Sequence, residues 1–284
     1  MITYDKGLPS LPDEIISEIF NLLDLEALKS CSLTGRVLSR SAKPFLHRTL
    51  CLTYRSRDPT KPRAPGIWNE LEGLPTLGER GLLQHTRHIS IVLPKDFARG
   101  LDTHIQHLHT LTNLRSLKVH WLDTPSFIPK MGVHFKAFLG SLESLELVFP
   151  TGDHKQILYF VCQFRNLRDL KINSARPYPN SVHNSGPHFH IEASPPLDGT
   201  LDLQWGVGPE SDPMGPQPFF SDLVALPSGL KFRSLKLSGY TSDNLQLLVD
   251  ACAPTLECMK FTGTWSGALF LHTADNFLCS PLFV

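Results

Sequence analysis

The sequence predicts an α/β protein: a short N-terminal module of three helices, then a longer array of parallel strands backed by helices. Three observations predict it. Leu11, Ile15, Ile16, Ile19, Phe20 and Leu23 recur at helical spacing, with Asp13, Glu14, Ser17 and Glu18 between them. A phrase of the form apolar-x-x-apolar-x-apolar recurs along the rest of the chain. Amphipathic runs of helical period separate its copies.

The first helix has a start signal. Ser10 is placed as an N-cap, Pro12 falls in the first turn, and Asp13 and Glu14 suit the positive helix end. Asp24 reads as the next N-cap, opening a helix that carries Leu25, Leu28 and Cys31. Thr34-Gly35 breaks that run, and Val37, Leu38 and Ala42 begin a third helix that Pro44 ends within a turn. Three helices in so few residues bury little surface, so the module needs a neighbour or a partner. Thr49–Tyr54 alternates Leu50 and Leu52 with polar residues and reads as a strand. Arg55–Gly66, with Pro59, Pro62 and Pro65, reads as a surface loop, giving boundaries of 8–52 for the module and 53–79 for a linker.

From residue 80 to 284 the phrase organises the chain. It stands as Leu114/Leu117/Val119, Leu142/Leu145/Leu147, Leu167/Leu170/Ile172, Phe232/Leu235/Leu237 and Leu256/Met259/Phe261. Weaker copies end in Ile89-x-Ile91 and Leu201-x-Leu203. The central residues, 89, 117, 145, 170, 201, 235 and 259, follow one another at intervals of 24 to 34 residues. Helical runs are Leu101/Ile105/Leu108, Ile157/Leu158/Val161/Phe164, Phe220/Leu223/Val224 and Leu245/Leu248/Val249/Cys252. A strand and a helix repeated at this period imply parallel strands on one face and helices on the other. The polar positions between the apolar ones, Lys118, Glu146, Lys171, Lys236 and Lys260 among them, then point outward. An ordinary α/β sandwich whose strands share a phrase is the alternative. Residues 263–284 read as an interrupted unit, either a folded-back cap or the mark of a shortened chain.

Two resemblances follow from these residues. Leu11-Pro12, Glu14-Ile15-Ile16, Ile19-Phe20, Leu23-Asp24, Leu28 and Cys31-Ser32-Leu33 occur in an order that resembles the F-box. That module docks onto a Skp-type adaptor of cullin–RING ubiquitin ligases. The closing Phe45-Leu46-His47-Arg48-Thr49-Leu50 resembles the end of its fungal form, and the tryptophan usual in the third helix is Val37 here. The resemblance implies adaptor contacts by Leu11, Pro12, Ile15, Ile16, Ile19 and Phe20. The alternative is a stripe that packs on the first strand–helix unit and only caps it. The array resembles a degenerate leucine-rich-repeat solenoid. Leu122, Pro150, Ala175, Tyr240 and Thr264 stand where that family places an asparagine or cysteine, so its asparagine ladder is missing. Joined, the two imply a substrate receptor of a Skp–cullin–F-box ubiquitin ligase, with an unidentified target protein on the strand face and no catalysis of its own.

Composition agrees with an intracellular protein. The 284 residues are 41% hydrophobic and 19% charged, and 27 Lys and Arg balance 27 Asp and Glu, so no global charge argues for nucleic acid or membrane. Residues 36–63 are locally basic, with eight Arg or Lys against Asp58 alone. This reads as a solvated helix face and linker, with nucleic-acid contact as the alternative. Met1–Gly7 lacks a signal-peptide core, and no apolar run approaches the ~18 residues of a membrane span. Six scattered cysteines without a Cys-x-x-Cys read as reduced, buried thiols in the cytoplasm or nucleus, Cys252 and Cys258 included.

No cofactor or metal is expected. His104 and His107 share a helix face near His109, but a zinc site needs more ligands, and His183, His188 and His190 fall in a Pro/Gly-rich loop. Phosphate-binding, Gly-x-Ser-x-Gly and His-Glu-x-x-His signatures are absent, and Asp153-His154 and His272-x-x-Asp275 lack a third member.

Overall fold

A computed structural model describes residues 11–53, 69–70, 74–92, 106–120, 135–148, 150, 154–174, 195–205, 217–238 and 245–262. Ser10, the proline-rich part of the expected linker, Leu101 and Ile105, and residues 263–284 lie outside them, as do the five absent ladder positions other than Pro150.

The three expected helices form. α1 (Asp13–Leu22) starts two residues later than the sequence suggests: Pro12, not Ser10, occupies the cap position without a side-chain cap, and its carbonyl accepts from Ile16 N–H at 3.1 Å. α2 (Leu25–Thr34) is capped as expected, the Asp24 carboxylate accepting from Ala27 N–H at 2.8 Å. α3 (Arg36–Leu46) contains Pro44 near its end, and the helix stops two residues later. Ile16, Phe20, Leu28 and Ala42 form a small core of their own, flanked by Ile19, Leu23, Cys31, Leu38, Phe45 and Leu46. Phe20 and Phe45 meet edge to face at 5.6 Å. Phe45 carries the aromatic packing of the third helix, whereas Val37 lies on the surface, so no core position was emptied there.

The chain leaves α3 directly into β1 (Thr49–Thr53), the first of a nine-stranded parallel sheet. The others are β2 (Asn69–Glu70), β3 (His88–Val92), β4 (Ser116–His120), β5 (Ser144–Val148), β6 (Asp169–Ser174), β7 (Leu197–Trp205), β8 (Leu230–Ser238) and β9 (Cys258–Thr262). The spatial order is β2-β1-β3-β4-β5-β6-β7-β8-β9, so chain order holds from β3 onward. Leu50, Ile89, Leu117, Leu145, Leu170, Leu201, Leu235 and Met259 stand in register across neighbouring strands. The seven central positions read from the phrase are therefore one row, and they face inward with the row two residues on, Leu52 to Phe261.

Helices cover that inner face. α5 (His154–Cys162) brings Ile157, Leu158, Phe160 and Val161, α6 (Gln217–Val224) brings Phe219, Phe220 and Leu223, and α7 (Leu245–Cys252) brings Leu245, Leu248, Val249 and Cys252. Burying such side chains stabilises by about 1.5–3 kcal/mol each. Among the described residues between β3 and β5, Gln106–Thr110 is a 3-10 turn, and turns before β5 carry Phe135 and Phe138 into the core, Phe135 packing on Phe160 at 6.1 Å. The expected 53–79 linker is partly structured. It contains β2, which pairs with β1, and α4 (Leu74–Glu79), whose Leu74 is wholly buried in the main core. Flanking prolines masked the two apolar residues, Leu74 and Leu77, that bind this turn to the sheet; Pro75 itself suits a first turn.

Among the described residues, polar side chains just before several strands tie successive units together. Thr86 Oγ1 donates to His47 O at 3.0 Å, Ser141 Oγ to Leu114 O at 2.9 Å and Thr255 Oγ1 to Phe232 O at 3.1 Å. Asn113 donates to Gln84 O at 2.8 Å, and Asn166 donates to Gly140 O. Each gives a backbone carbonyl of the preceding unit a hydrogen-bond donor.

One irregularity interrupts the register. Gly199 opposes Phe232 and Thr200 opposes Ser234, leaving Arg233 as an extra residue in β8. Gly199 has φ +86°, and an added Cβ would fall 2.1 Å from the Arg168 carbonyl oxygen. Gly199→Ala is expected to destabilise the protein by about 2–4 kcal/mol in chemical denaturation. Gly140→Ala, where an added Cβ meets nothing within 4 Å, should change stability by less than about 0.5 kcal/mol.

Candidate functional site

Two surfaces stand out, one on the helices and one on the sheet. On the helices, the six residues read as docking positions divide. Leu11 and Ile15 are 37% and 43% exposed, Pro12 is exposed and Ile19 is half-buried. Ile16 and Phe20 are only 4% exposed and belong to the module's interior. The helical period turns residues 16 and 20 away from residues 11 and 15. The stripe also does not pack on the sheet: its core and the sheet's core are separate clusters.

The structure adds apolar surface that the pattern did not show. Leu22, Leu25, Leu33 and Val37 are exposed as well, Leu22 and Leu33 at 86% each. Among the described residues, the exposed large apolar side chains lie on this module, with Leu247 the exception. Uncovered apolar side chains gathered on so small a unit mark a contact surface. No periodicity signals Leu22 and Leu33, which sit at helix ends, where the tertiary arrangement decides exposure.

Residues 8–53 match the family model described as F-box-like. The N-terminal module is an F-box-like domain. A domain of this kind points to adaptor binding in a ubiquitin ligase of the Skp–cullin–F-box type, since F-box domains typically bind Skp-type adaptors. Comparison with curated proteins gives no match for the chain.

The F-box-like domain is joined to the sheet by short-range contacts. Arg48 donates to the Asn21 side chain at 2.9 Å, reaching from the start of β1 to the end of α1, and Thr86 holds His47 O from the neighbouring unit. The two surfaces thus hang on one continuous piece of backbone.

The outer face of the sheet carries the residues between the inward rows. Its central row reads Cys51, Ser90, Lys118, Glu146, Lys171, Asp202, Lys236 and Lys260 across eight strands. From Lys118 to Asp202 the signs alternate and the charges pair: Lys118 lies 3.0 Å from Glu146, and Lys171 lies 3.6 Å from Glu146 and 4.0 Å from Asp202. Arg115 pairs with Glu143 at 2.5 Å, and Arg233 lies 3.7 Å from Asp198 and 3.9 Å from Glu257. Each is a surface pair worth about 0–1 kcal/mol, so the ladder adds little stability. It instead leaves the centre of the face electrically balanced.

Burial pushes the Cys252 thiol up to about 11, which keeps it protonated and inert. Cys258, expected to be buried, lies partly exposed on the outer face in register with Ser234. Its position between Leu256 and Met259 gives it the outward parity. His154 stacks edge to face on Phe219 at 5.6 Å. Among the described residues no three His, Cys, Asp or Glu side chains gather to hold a metal ion. His109 is described, the side chain of His107 is not, and His104, His183, His188 and His190 lie outside the described residues, as do Asp153, His272 and Asp275. Among the described residues no helix is long and apolar enough to cross a membrane.

Three imidazoles are held below the ordinary value of 6.5, each chiefly by burial. Coulombic repulsion adds to this: His85 and Lys43 act on His47, Arg48 and Arg87 on His88, and Lys118 on His120, where Glu146 partly opposes. Below pH 6.5 the unfolded chain takes up protons that the folded chain refuses. Stability from these groups is therefore complete above about pH 6.5 and declines as pH falls through 6.5 toward the lowered values. Denaturation midpoints measured from pH 7.5 to 5.5 are expected to fall with acidification, and His88→Gln should make that fall shallower.

Proposed function

We propose that this chain is a substrate-receptor subunit of a Skp–cullin–F-box ubiquitin ligase. The observation that carries the reading is the F-box-like match at residues 8–53 together with the exposure of Leu11, Pro12 and Ile15 on that domain. On this reading the Skp-type adaptor covers those residues, along with the exposed Leu22, Leu25, Leu33 and Val37, and links the chain to a cullin. The parallel sheet and its helices are a degenerate leucine-rich-repeat array, whose outer face holds a target protein. The domain is of the fungal form, and the protein acts in the cytoplasm or nucleus.

The receptor performs no covalent step. A stiff scaffold raises the local concentration of target lysines near the ubiquitin-charged conjugating enzyme, converting a bimolecular encounter into an effectively intramolecular one. The direct passage from α3 into β1 supports that role, since a loose joint would dilute the advantage. Separate cores in the two parts speak against a module that serves only as a cap.

Co-purification with a Skp-type adaptor tests the reading. Leu11→Ala with Pro12→Ala should abolish the complex while leaving the thermal midpoint within about 2 °C, because neither side chain is buried. Phe20→Ala should lower stability by about 3–5 kcal/mol and lose binding with it. A wild-type chain that retains no adaptor would defeat the proposal.

A further inference from the structure

The receptor reading leaves unused the corner where the F-box-like domain meets the sheet. There Arg48 O accepts from Arg87 N–H at 2.9 Å and from His88 N–H at 3.0 Å. Arg48 and Arg87 therefore stand one strand apart at the starts of β1 and β3, about 5 Å from one another along the backbone. Asn21 anchors Arg48, and Arg87 is exposed. Lys43, His47 and His85 close the same corner; Lys43 repels a proton from His47, as Arg48 and Arg87 do from His88. Between Arg36 and Thr53 there are four Lys or Arg and no Asp or Glu. Among the described residues neither Arg48 nor Arg87 has a carboxylate at ion-pair distance. The next arginine in line, Arg115, is already matched by Glu143.

Like charges on adjacent strands repel, and on the strands beyond, Arg115, Lys118 and Lys171 each face a carboxylate. We infer that the corner formed by Arg48, Arg87 and His88 receives a short acidic segment of the target protein, rich in Asp or Glu. The inference rests on the receptor reading for the identity of the partner. Guanidinium groups match carboxylates through forked hydrogen bonds. The rest of the face limits the length of the anion. On the strands beyond, Lys118, Glu146, Lys171 and Asp202 balance one another, so that part of the face offers a polyanion laid across it no net attraction. An extended nucleic acid gains nothing from that balanced row over most of its length, whereas a few acidic residues confined to the corner need only the corner's own charge. Arg48, from the basic run that the sequence marked, thus joins Arg87 and His88 in a local anion receptor between the adaptor-docking helices and the outer sheet face.

The test uses the full chain and labelled octaglutamate, octalysine and a single-stranded oligonucleotide of about 20 bases, followed by fluorescence anisotropy at low ionic strength. Octaglutamate should bind and octalysine should not. Arg87→Glu should weaken octaglutamate about tenfold and the neutral Arg87→Gln about threefold. Lys236→Glu, at the far end of the sheet, should change affinity by less than about twofold. The inference is overturned if octaglutamate does not bind, if Arg87→Glu and Arg87→Gln leave its affinity unchanged, if Lys236→Glu weakens it as much, or if the oligonucleotide binds at least as tightly. Thermal unfolding and adaptor co-purification on the same variants separate the two ideas. Adaptor binding retained with octaglutamate unbound removes only this inference, and octaglutamate bound at Arg87 without adaptor binding removes only the receptor reading.

Discussion

Parallel strands buried on one face tolerate no slip in register, and this constraint governs most of what the molecule presents. Leu50 through Met259 occupy one row beneath the helices. Moving β4 by a single residue would turn Lys118 into the core and Leu117 out of it. The loss of apolar burial is a few kcal/mol, and burying an unpaired ammonium costs several more. The apolar rows therefore also determine which residues face outward. Lys118, Glu146, Lys171 and Asp202 align because their inward neighbours do, and the alternation of sign across strands becomes an interacting row only through that alignment.

The same rigidity joins the two surfaces. The F-box-like domain has its own core, centred on Phe20 and Phe45, but its last helix runs into the first strand of the sheet. Thr86 and Arg48 then fasten the joint from either side. An apolar contact face on one part and a balanced polar face on the other are thus held at a defined geometry. Their chemical difference is informative: apolar exposure suits a partner that stays bound, while a neutralised charged face discriminates by pattern more than by strength. The cationic corner between them breaks that neutrality.

Much of this was legible in the residues. The phrase centred on 89, 117, 145, 170, 201, 235 and 259 marks strands because alternation and recurrence are local properties of the chain. Asp24 and Gly35 mark helix limits for the same reason. Other features were hidden. Ile16 and Phe20 look like Leu11 and Ile15 in a list of apolar residues, and only the packing of α1 against α3 separates core from surface. Leu74 vanished among prolines. The carbonyl-binding residues Thr86, Asn113, Ser141 and Thr255 were missed because the expected ladder lies after the strand, whereas theirs lies before it. Gly199 carries no sequence signal for its φ of +86°, which arises from a bulge defined by two strands at once.

By itself the sequence determined which segments are strands or helices, which face of each is apolar, and that an F-box-like domain stands at residues 8–53. Period and parity suffice for that, since both are written in the order of side chains along one segment. Tertiary structure alone decided which apolar residues of the helical domain remain uncovered, which charges cancel across strands, and that Arg48 and Arg87 meet at the joint. Those outcomes depend on distances between residues far apart in the chain, from Asn21 to Arg48 and from Arg48 to Arg87, and register across the sheet brings them together.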